Sequence, residues 1–214
     1  MRRRGLAKYG FIPGAVMEAV VSTCDEDGRP NAAPMGVTSG DLRTLIIRPY
    51  LNTTTYRNLK VSRCAVVNIT LDPWLFYITA LKEVNPEGVL PLKLFDKAEK
   101  VKAPRLKDAQ GFIEVNVIDI KEVGKRGIVK CEVVYAKAKR MPARLYCRGA
   151  YAAIEAVIHA TRVKEALAAG NVEEAMRLEG LIKYYRDLVR RVSRGTTYEA
   201  VIEGLLNLIK RWRG

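Results

Sequence analysis

The chain has 214 residues, 49% of them hydrophobic, which is enough to build a buried core and too many for a disordered polymer. Charged residues interrupt the apolar ones before any run reaches about 20, the length that a membrane-crossing helix needs. With 37 Lys and Arg against 23 Asp and Glu, the formal charge is +14. Such a field attracts nucleic acid, phosphorylated cofactors and acidic partners alike without choosing among them.

Nine of the basic residues fall between Lys121 and Arg148, against only Glu122 and Glu132. The basic start, Met1 to Arg4, is followed by Lys8 and Tyr9 before any apolar stretch of signal-peptide length, so the cytoplasm is the expected location. Cys24, Cys64, Cys131 and Cys147 lie far apart with no pair at metal-ligand spacing, and fit small buried hydrophobes in a reducing compartment. His159 is the only histidine, so no metal site built on several histidines or on Cys and His together is expected, and a Ser-His-acid triad would depend on that one residue.

In chain order, Glu18 to Cys24 reads as a strand through Val20, Val21 and Thr23, and Asp25 to Arg29 as the turn after it. Asn31 to Val37 is rich in small residues and contains Pro34, which suits an irregular or edge strand. Leu42 to Arg48 makes a third strand. Thr53 to Val61 changes to a short helix that Thr53 or Thr54 can cap. Cys64 to Ile69 reads as a buried strand, and Asp72-Pro73 as an N-cap followed by proline at the first helical position, opening a helix with Trp74, Phe76, Ile78 and Leu81. Pro86 to Pro104 reads as a loop excursion bordering the site. Phe112 to Val123 and Gly127 to Lys137 are strands joined by a short turn. Short strands alternating with short helices predict a small mixed barrel and no doubly wound sheet.

Beyond Gly149 the pattern turns helical. Tyr151 to Ala169 stops at Gly170, Asn171 with Glu174 resembles a capping box for a second helix, and Thr196 with Glu199 can cap a third after Gly195. Three amphipathic helices with short connections predict a compact bundle. The predicted division is a barrel domain over 1–148 and a helical domain over 149–214.

Neither a Walker loop nor a dinucleotide fingerprint occurs. The concentrated signal is Asn31 to Asn68, where short polar side chains sit beside strands that should be buried. Buried polar groups require partners, and a ligand can be the partner. Thr53, Thr54 and Thr55, with Arg48 and Arg57 nearby, can surround a phosphate with hydroxyls, cations and the N–H groups of a helix start. The same residues can equally cap a helix and solvate a surface. Glu155, His159 and Arg162, spaced by four and three, can share one helix face as a substrate or subunit contact, or as ordinary surface.

Glu18-Ala19-Val20-Val21-Ser22-Thr23, Asn31-Ala32-Ala33-Pro34-Met35-Gly36-Val37, Thr53-Thr54-Thr55-Tyr56-Arg57-Asn58-Leu59 and Val66-Val67-Asn68-Ile69-Thr70, followed by Asp72-Pro73, resemble the archaeal domain-of-unknown-function 447 family. So does the helical segment Ala153 to Arg162. This family is related to flavin-reductase-like FMN-binding split barrels. The resemblance implies an α+β fold, an FMN-binding split β-barrel with a C-terminal three-helix domain, and a homodimer that completes the cofactor cleft. It further implies that Met35, Gly36 and Val37 approach the flavin ring, that Arg48, Thr53, Thr55 and Asn58 form the phosphate side, and that Asn68 offers a polar contact near the ring or ribityl chain. Thr54 and Thr55 exchange roles if the helix starts one residue away. Trp74 and Phe76 are either a cover for the flavin or core residues. The implied function is an FMN oxidoreductase taking hydride from NADH or NADPH and serving a small anionic substrate. A non-catalytic flavin-binding protein and a basic nucleic-acid-binding protein are the alternatives.

Overall fold

A computed structural model describes residues 5–9, 11, 17–138 and 148–213, the last group with Arg148 and Val192 as backbone only. The chain packs into two units, Met1–Thr70 with Asn85–Pro142, and Leu71–Val84 with Ala143–Gly214. The first contains β1 (Met17–Cys24), β2 (Pro30–Thr38), β3 (Thr44–Ile47), α1 (Thr54–Ser62), β4 (Cys64–Ile69), β5 (Phe95–Asp96), β6 (Arg105–Leu106), β7 (Gly111–Val123) and β8 (Arg126–Ala138). The second contains α2 (Pro73–Ala80), α3 (Arg148–Ala168), α4 (Val172–Val192) and α5 (Thr197–Arg213).

Six strands close into an antiparallel barrel in the order β1-β2-β3-β8-β7-β4, while β5 and β6 form a separate ribbon. Side chains alternate across each strand. Ala19 and Val21 of β1, Val37 of β2, Leu45 and Ile47 of β3 and Val67 of β4 therefore point inward with Ile113, Val115, Val129 and Cys131. Tyr56 and Leu59 of α1 complete this core.

The predicted irregular edge strand is instead β2, a long member of a closed barrel. It pairs with β1 over eight residues, from Met17↔Val37 to Cys24↔Pro30, but with β3 only at Val37↔Ile47 and Thr38↔Ile46. Its small residues and two prolines are tolerated because the β3 ladder reaches no further. Continued by one and two residues, that ladder would place Arg48 opposite Gly36 and Pro49 opposite Met35. The pairing with β8 runs on in the same register, with Tyr50 opposite Arg126: Gly127 N–H donates to Pro49 O (2.9 Å), Leu51 N–H to Lys125 O (3.1 Å) and Arg126 Nη1 to Arg48 O (3.0 Å).

The Pro86–Pro104 stretch belongs to an excursion that runs on to β6. It carries the β5–β6 ribbon and covers the outer face of β4 and β7, where Cys24, Cys64, Val66, Ala98, Ala103 and Phe112 form a second cluster. With β1 between β4 and β2, the excursion covers a different wall from the gap between β2 and β3.

In the helical unit, α2 is apolar almost all round, and Leu75, Phe76, Tyr77 and Ile78 are buried. Gly204 of α5 admits the Tyr77 hydroxyl, since a Cβ there would lie 2.7 Å from it. Asn171 accepts from Glu174 N–H (3.1 Å) as the capping pattern predicts, and acidic Glu173 and Glu174 open α4 while Arg190 and Arg191 close it, matching the helix dipole. The three C-terminal helices form as expected, but their unit also takes in Leu71–Val84 from between β4 and the excursion.

Tyr56 ties α1 to the hairpin. Its ring lies against Gly127, where no Cβ would fit, and its hydroxyl donates to Glu122 Oε1 at 2.6 Å. That bond, aided by burial and the carboxylate charge, pushes the phenol up to about 12, and holds Glu122 below its ordinary value. A raised tyrosine pKa stabilises the fold fully below its unfolded value near 10, and the contribution is lost as pH rises towards 12. Tyr56→Phe is expected to remove that alkaline loss. Thermal unfolding from pH 9 to 12, with phenolate absorbance at 295 nm, measures it, and an identical alkaline profile in the variant counts against the assignment.

Candidate functional site at the split between β2 and β3

The β2–β3 ladder of two pairs leaves β2 from Pro30 to Gly36 without a β3 partner, and α1 meets that length through the Asn31–Thr55 hydrogen bond. Thr53 caps the helix. Its Oγ1 accepts from Tyr56 N–H (3.3 Å) and donates to Tyr50 O (2.7 Å). The next residues take opposite environments. Thr54 is exposed, with its Oγ1 accepting from Arg57 Nη2 at 3.2 Å. Thr55 is buried, with its Oγ1 accepting from Asn31 Nδ2 at 3.2 Å. The first N–H groups of a helix lack partners within it and carry partial positive charge.

Thr23 accepts from Asn31 (3.4 Å) and from Asn58 Nδ2 (3.1 Å), so Thr23, Asn31, Thr55 and Asn58 make one buried polar group holding α1 to β1 and β2. Three cations lie outside it. Exposed Arg48 donates from Nη1 to Thr38 Oγ1 at 2.8 Å, Arg57 adjoins Thr54, and Arg126 lies 3.8 Å from the Tyr50 ring centroid. Strand parity puts Gly36 and Thr38 on the outer face of β2. Val37 points into the core, and Met35 packs against that core.

The predicted residues therefore divide. Arg48 and Gly36 face outward beside the split, and Met35 and Val37 offer it backbone alone. Thr53 is engaged as a cap, while Thr55 and Asn58 hold the helix in place. Asn68 stands apart, on the outer face of β4. Its Nδ2 donates to Val20 O (2.9 Å), Ser22 Oγ (2.9 Å) and Val66 O (3.2 Å), and its Oδ1 accepts from Leu106 N–H (2.7 Å). The amide is fully buried and spent on the protein, where it anchors the excursion. Two further residues belong to this region: Thr38, which follows from parity with Gly36, and Arg126, which only the fold brings to Tyr50.

The other candidates lie in the helical unit. Phe76 is core, whereas Trp74 is 44% exposed and lines an open cavity of about 450 Å³ with Asp72, Thr196, Thr197 and Tyr198. Glu155 and Arg162 are exposed, but His159 stacks on Tyr185 (centroids 5.9 Å apart), and burial lowers its pKa. Among the described residues, Lys121, Lys125, Arg126, Lys130 and Lys137 of the basic stretch are exposed; the remainder of it lies outside the described side chains. No helix is long and apolar enough to cross a membrane among these residues, and no group of three or more His, Cys, Asp or Glu is arranged to hold a metal.

Asn68→Ala is expected to destabilise the protein by about 2–4 kcal/mol, because it leaves buried N–H and C=O groups without partners. Thr54→Val, on the surface, is expected to stay within about 0.5 kcal/mol of the parent. Urea unfolding of both variants measures the contrast, and equal stabilities contradict the structural role of Asn68.

The fold is similar to that of FMN-bound protein MM1853 from Methanosarcina mazei, with a TM-score of 0.76 and 23% identity over 94% of this chain and 98% of that one. The NADH:FAD oxidoreductase SgcE6 of Streptomyces globisporus C-1027 matches with a TM-score of 0.49 and 19% identity, covering 64% and 81% of the two chains. The styrene monooxygenase flavin reductase of Pseudomonas putida S12 matches at 0.48 and 16%, covering 58% and 81%. Residues 17–140 match the family described as protein of unknown function (DUF447), N-terminal domain, and this is more than half of the 214 residues: the chain belongs to the DUF447 family.

Proposed function

We propose that the chain binds FMN at the split between β2 and β3 and works as an oxidoreductase of the flavin-reductase type, with a nicotinamide donor. The carrying observation is that β3 leaves β2 unpaired from Pro30 to Gly36: Arg48 is held on Thr38 at the end of the short ladder, and the first turn of α1, with exposed Thr54 and Arg57, is tied to the unpaired length through Thr55 and Asn31. Such a set suits a phosphate next to a flat, hydrogen-bonding ring. The FMN-bound relative of the same architecture supports the choice of ring.

In this reading Arg48 and Arg57 neutralise the phosphate, and the Thr54 hydroxyl and the first N–H groups of α1 orient it. Thr54 takes the role that the resemblance assigns to Thr55, whose hydroxyl faces the protein. The backbone of Met35, Gly36 and Val37 meets the edge of the ring, with Gly36 as the small outward position. Bound FMN supplies two-electron chemistry, so no side chain has to be a nucleophile. Exposed cations near the opening attract an anionic substrate or a nicotinamide phosphate. A second copy of the chain completing the cleft is part of the proposal.

Purified protein is expected to release FMN on denaturation, or to take it up on titration. Arg48→Ala is expected to weaken binding roughly tenfold or more, the size of a lost charge-assisted hydrogen bond, with little change in stability. Unaltered affinity in Arg48→Ala and Thr54→Val would move the phosphate elsewhere.

Anaerobic mixing of the FMN-loaded protein with NADH or NADPH is expected to bleach the visible absorbance of the flavin. FMN binding without bleaching by either donor leaves a flavin-binding protein without nicotinamide chemistry. Tight nucleic-acid binding that falls steeply with salt, in protein that takes up no FMN, would favour the basic-surface alternative.

A further inference from the structure

We propose that Cys24 and Cys64 form an oxidisable dithiol, which a peroxide converts into an intramolecular disulfide tying the end of β1 to the start of β4. The placement follows from register. β1 and β4 pair as Val20↔Asn68, Val21↔Val67 and Ser22↔Val66, so each pair of residue numbers sums to the same value. Two residues further on, that rule sets Cys24 opposite Cys64.

Parity puts both on the same side. Ser22 Oγ receives a hydrogen bond from Asn68 Nδ2 on the outer face of the barrel, and Cys24 and Cys64 follow at spacings of two and four along that face. Both lie in the cluster beneath the excursion, 2% and 4% exposed, and both are free thiols. Opposed residues of antiparallel strands sit roughly 4.5–5.5 Å apart at Cα. A disulfide spans roughly 4.4–6.8 Å. Closure therefore asks for side-chain rotation and no change of fold.

Burial raises the Cys24 thiol pKa, and the neighbouring Cys64 raises it further, an effect that requires the two groups to be close. Such a thiol reacts slowly, so the pair suits a cross-link formed under sustained oxidation better than a fast sensor. Cys131 is the internal control: it points into the barrel core, away from this face, and burial pushes it up to about 12.

The step balances with hydrogen peroxide as oxidant. One thiol, as thiolate, attacks a peroxide oxygen and becomes a sulfenic acid as the O–O bond breaks and water leaves. The second sulfur displaces the sulfenic oxygen as another water. Two S–H bonds are lost, one S–S bond forms, and the two electrons reside in the two waters. The link closes a loop carrying β2, β3 and α1, and so braces the walls of the split without entering it.

Full-length protein treated with hydrogen peroxide, alkylated under denaturing conditions and digested is expected to yield a Cys24–Cys64 linked peptide. The cross-link lowers the mass by about 2 Da for the two hydrogens lost, and dithiothreitol restores it. Cys131 is expected to remain alkylated. Oxidised protein should melt roughly 5–15 °C higher than reduced protein, a difference that Cys24→Ser abolishes and Cys131→Ser retains. Alkylation of both Cys24 and Cys64 in protein whose methionines have become sulfoxides, or a link from either to Cys147 or to a second copy, overturns the proposal. The peptide readout on the parent chain stands even where a variant fails to fold.

Discussion

A strand inside a barrel has hydrogen-bonding groups on both sides, and after Ile47 only one side of this chain stays paired. The register with β8 runs on, with Tyr50 opposite Arg126, Pro49 O accepting from Gly127 N–H and Leu51 N–H donating to Lys125 O, while the pairing with β2 stops at Val37↔Ile47. Arg48 O accepts from the Arg126 side chain, whose guanidinium covers Tyr50. Most of the candidate site follows from this one-sided ending. β2 keeps a side without a β3 ladder, Arg48 is held at the point of departure, and the chain re-enters as α1 rather than as more strand.

Once the wall is open, α1 has to be fixed against it, and polar groups share that task with apolar ones. Tyr56 and Leu59 enter the barrel core, while Thr23, Asn31, Thr55 and Asn58 satisfy one another beside it. A buried hydrogen bond adds only about 1 kcal/mol net, but leaving a partner unsatisfied costs about 1–3 kcal/mol, so this group sets the orientation of the helix more than it deepens stability. The consequence for binding is preorganisation. The start of α1, Thr54 and Arg57 are placed before any ligand arrives, and a phosphate would meet them without an ordering cost in the helix.

The six barrel strands, the five α-helices and their order were legible from periodicity, capping residues and turn signals, because those are local, whereas the two-residue strands β5 and β6 are too short to carry such a signal. The segment from Asn31 to Asn68 was also legible as unusual. The destination of each polar side chain within it was not, since that depends on register and on which helix face is buried. Spacing alone could have separated Thr54 from Thr55: Thr55, Asn58 and Leu59 lie at i, i+3 and i+4, the interval of one buried face. Nothing local marks Asn68 as an anchor for an excursion nearly forty residues away, or brings Arg126 to Tyr50. Pro34 misled in a definite way. It signals a strand with one unpaired side, and an edge is the usual such place, but a barrel whose ladder stops short offers another.

The division of the chain shows the same limit at a larger scale. A change of composition near Gly149 reads as a boundary, and three helices do follow it, but the helical unit is not a cassette appended behind a barrel. Its interior includes Leu75, Phe76 and Ile78 of α2, which leaves the chain between β4 and the excursion and packs with α3 and α5. A helix with so little polar surface cannot stand in water, and a short one is marginal even when amphipathic. The barrel strands β7 and β8 are thus made from chain that comes after one element of the helical unit and before the other three. The two units are interleaved in sequence, and a cut at residue 148 would separate α2 from the helices that bury it.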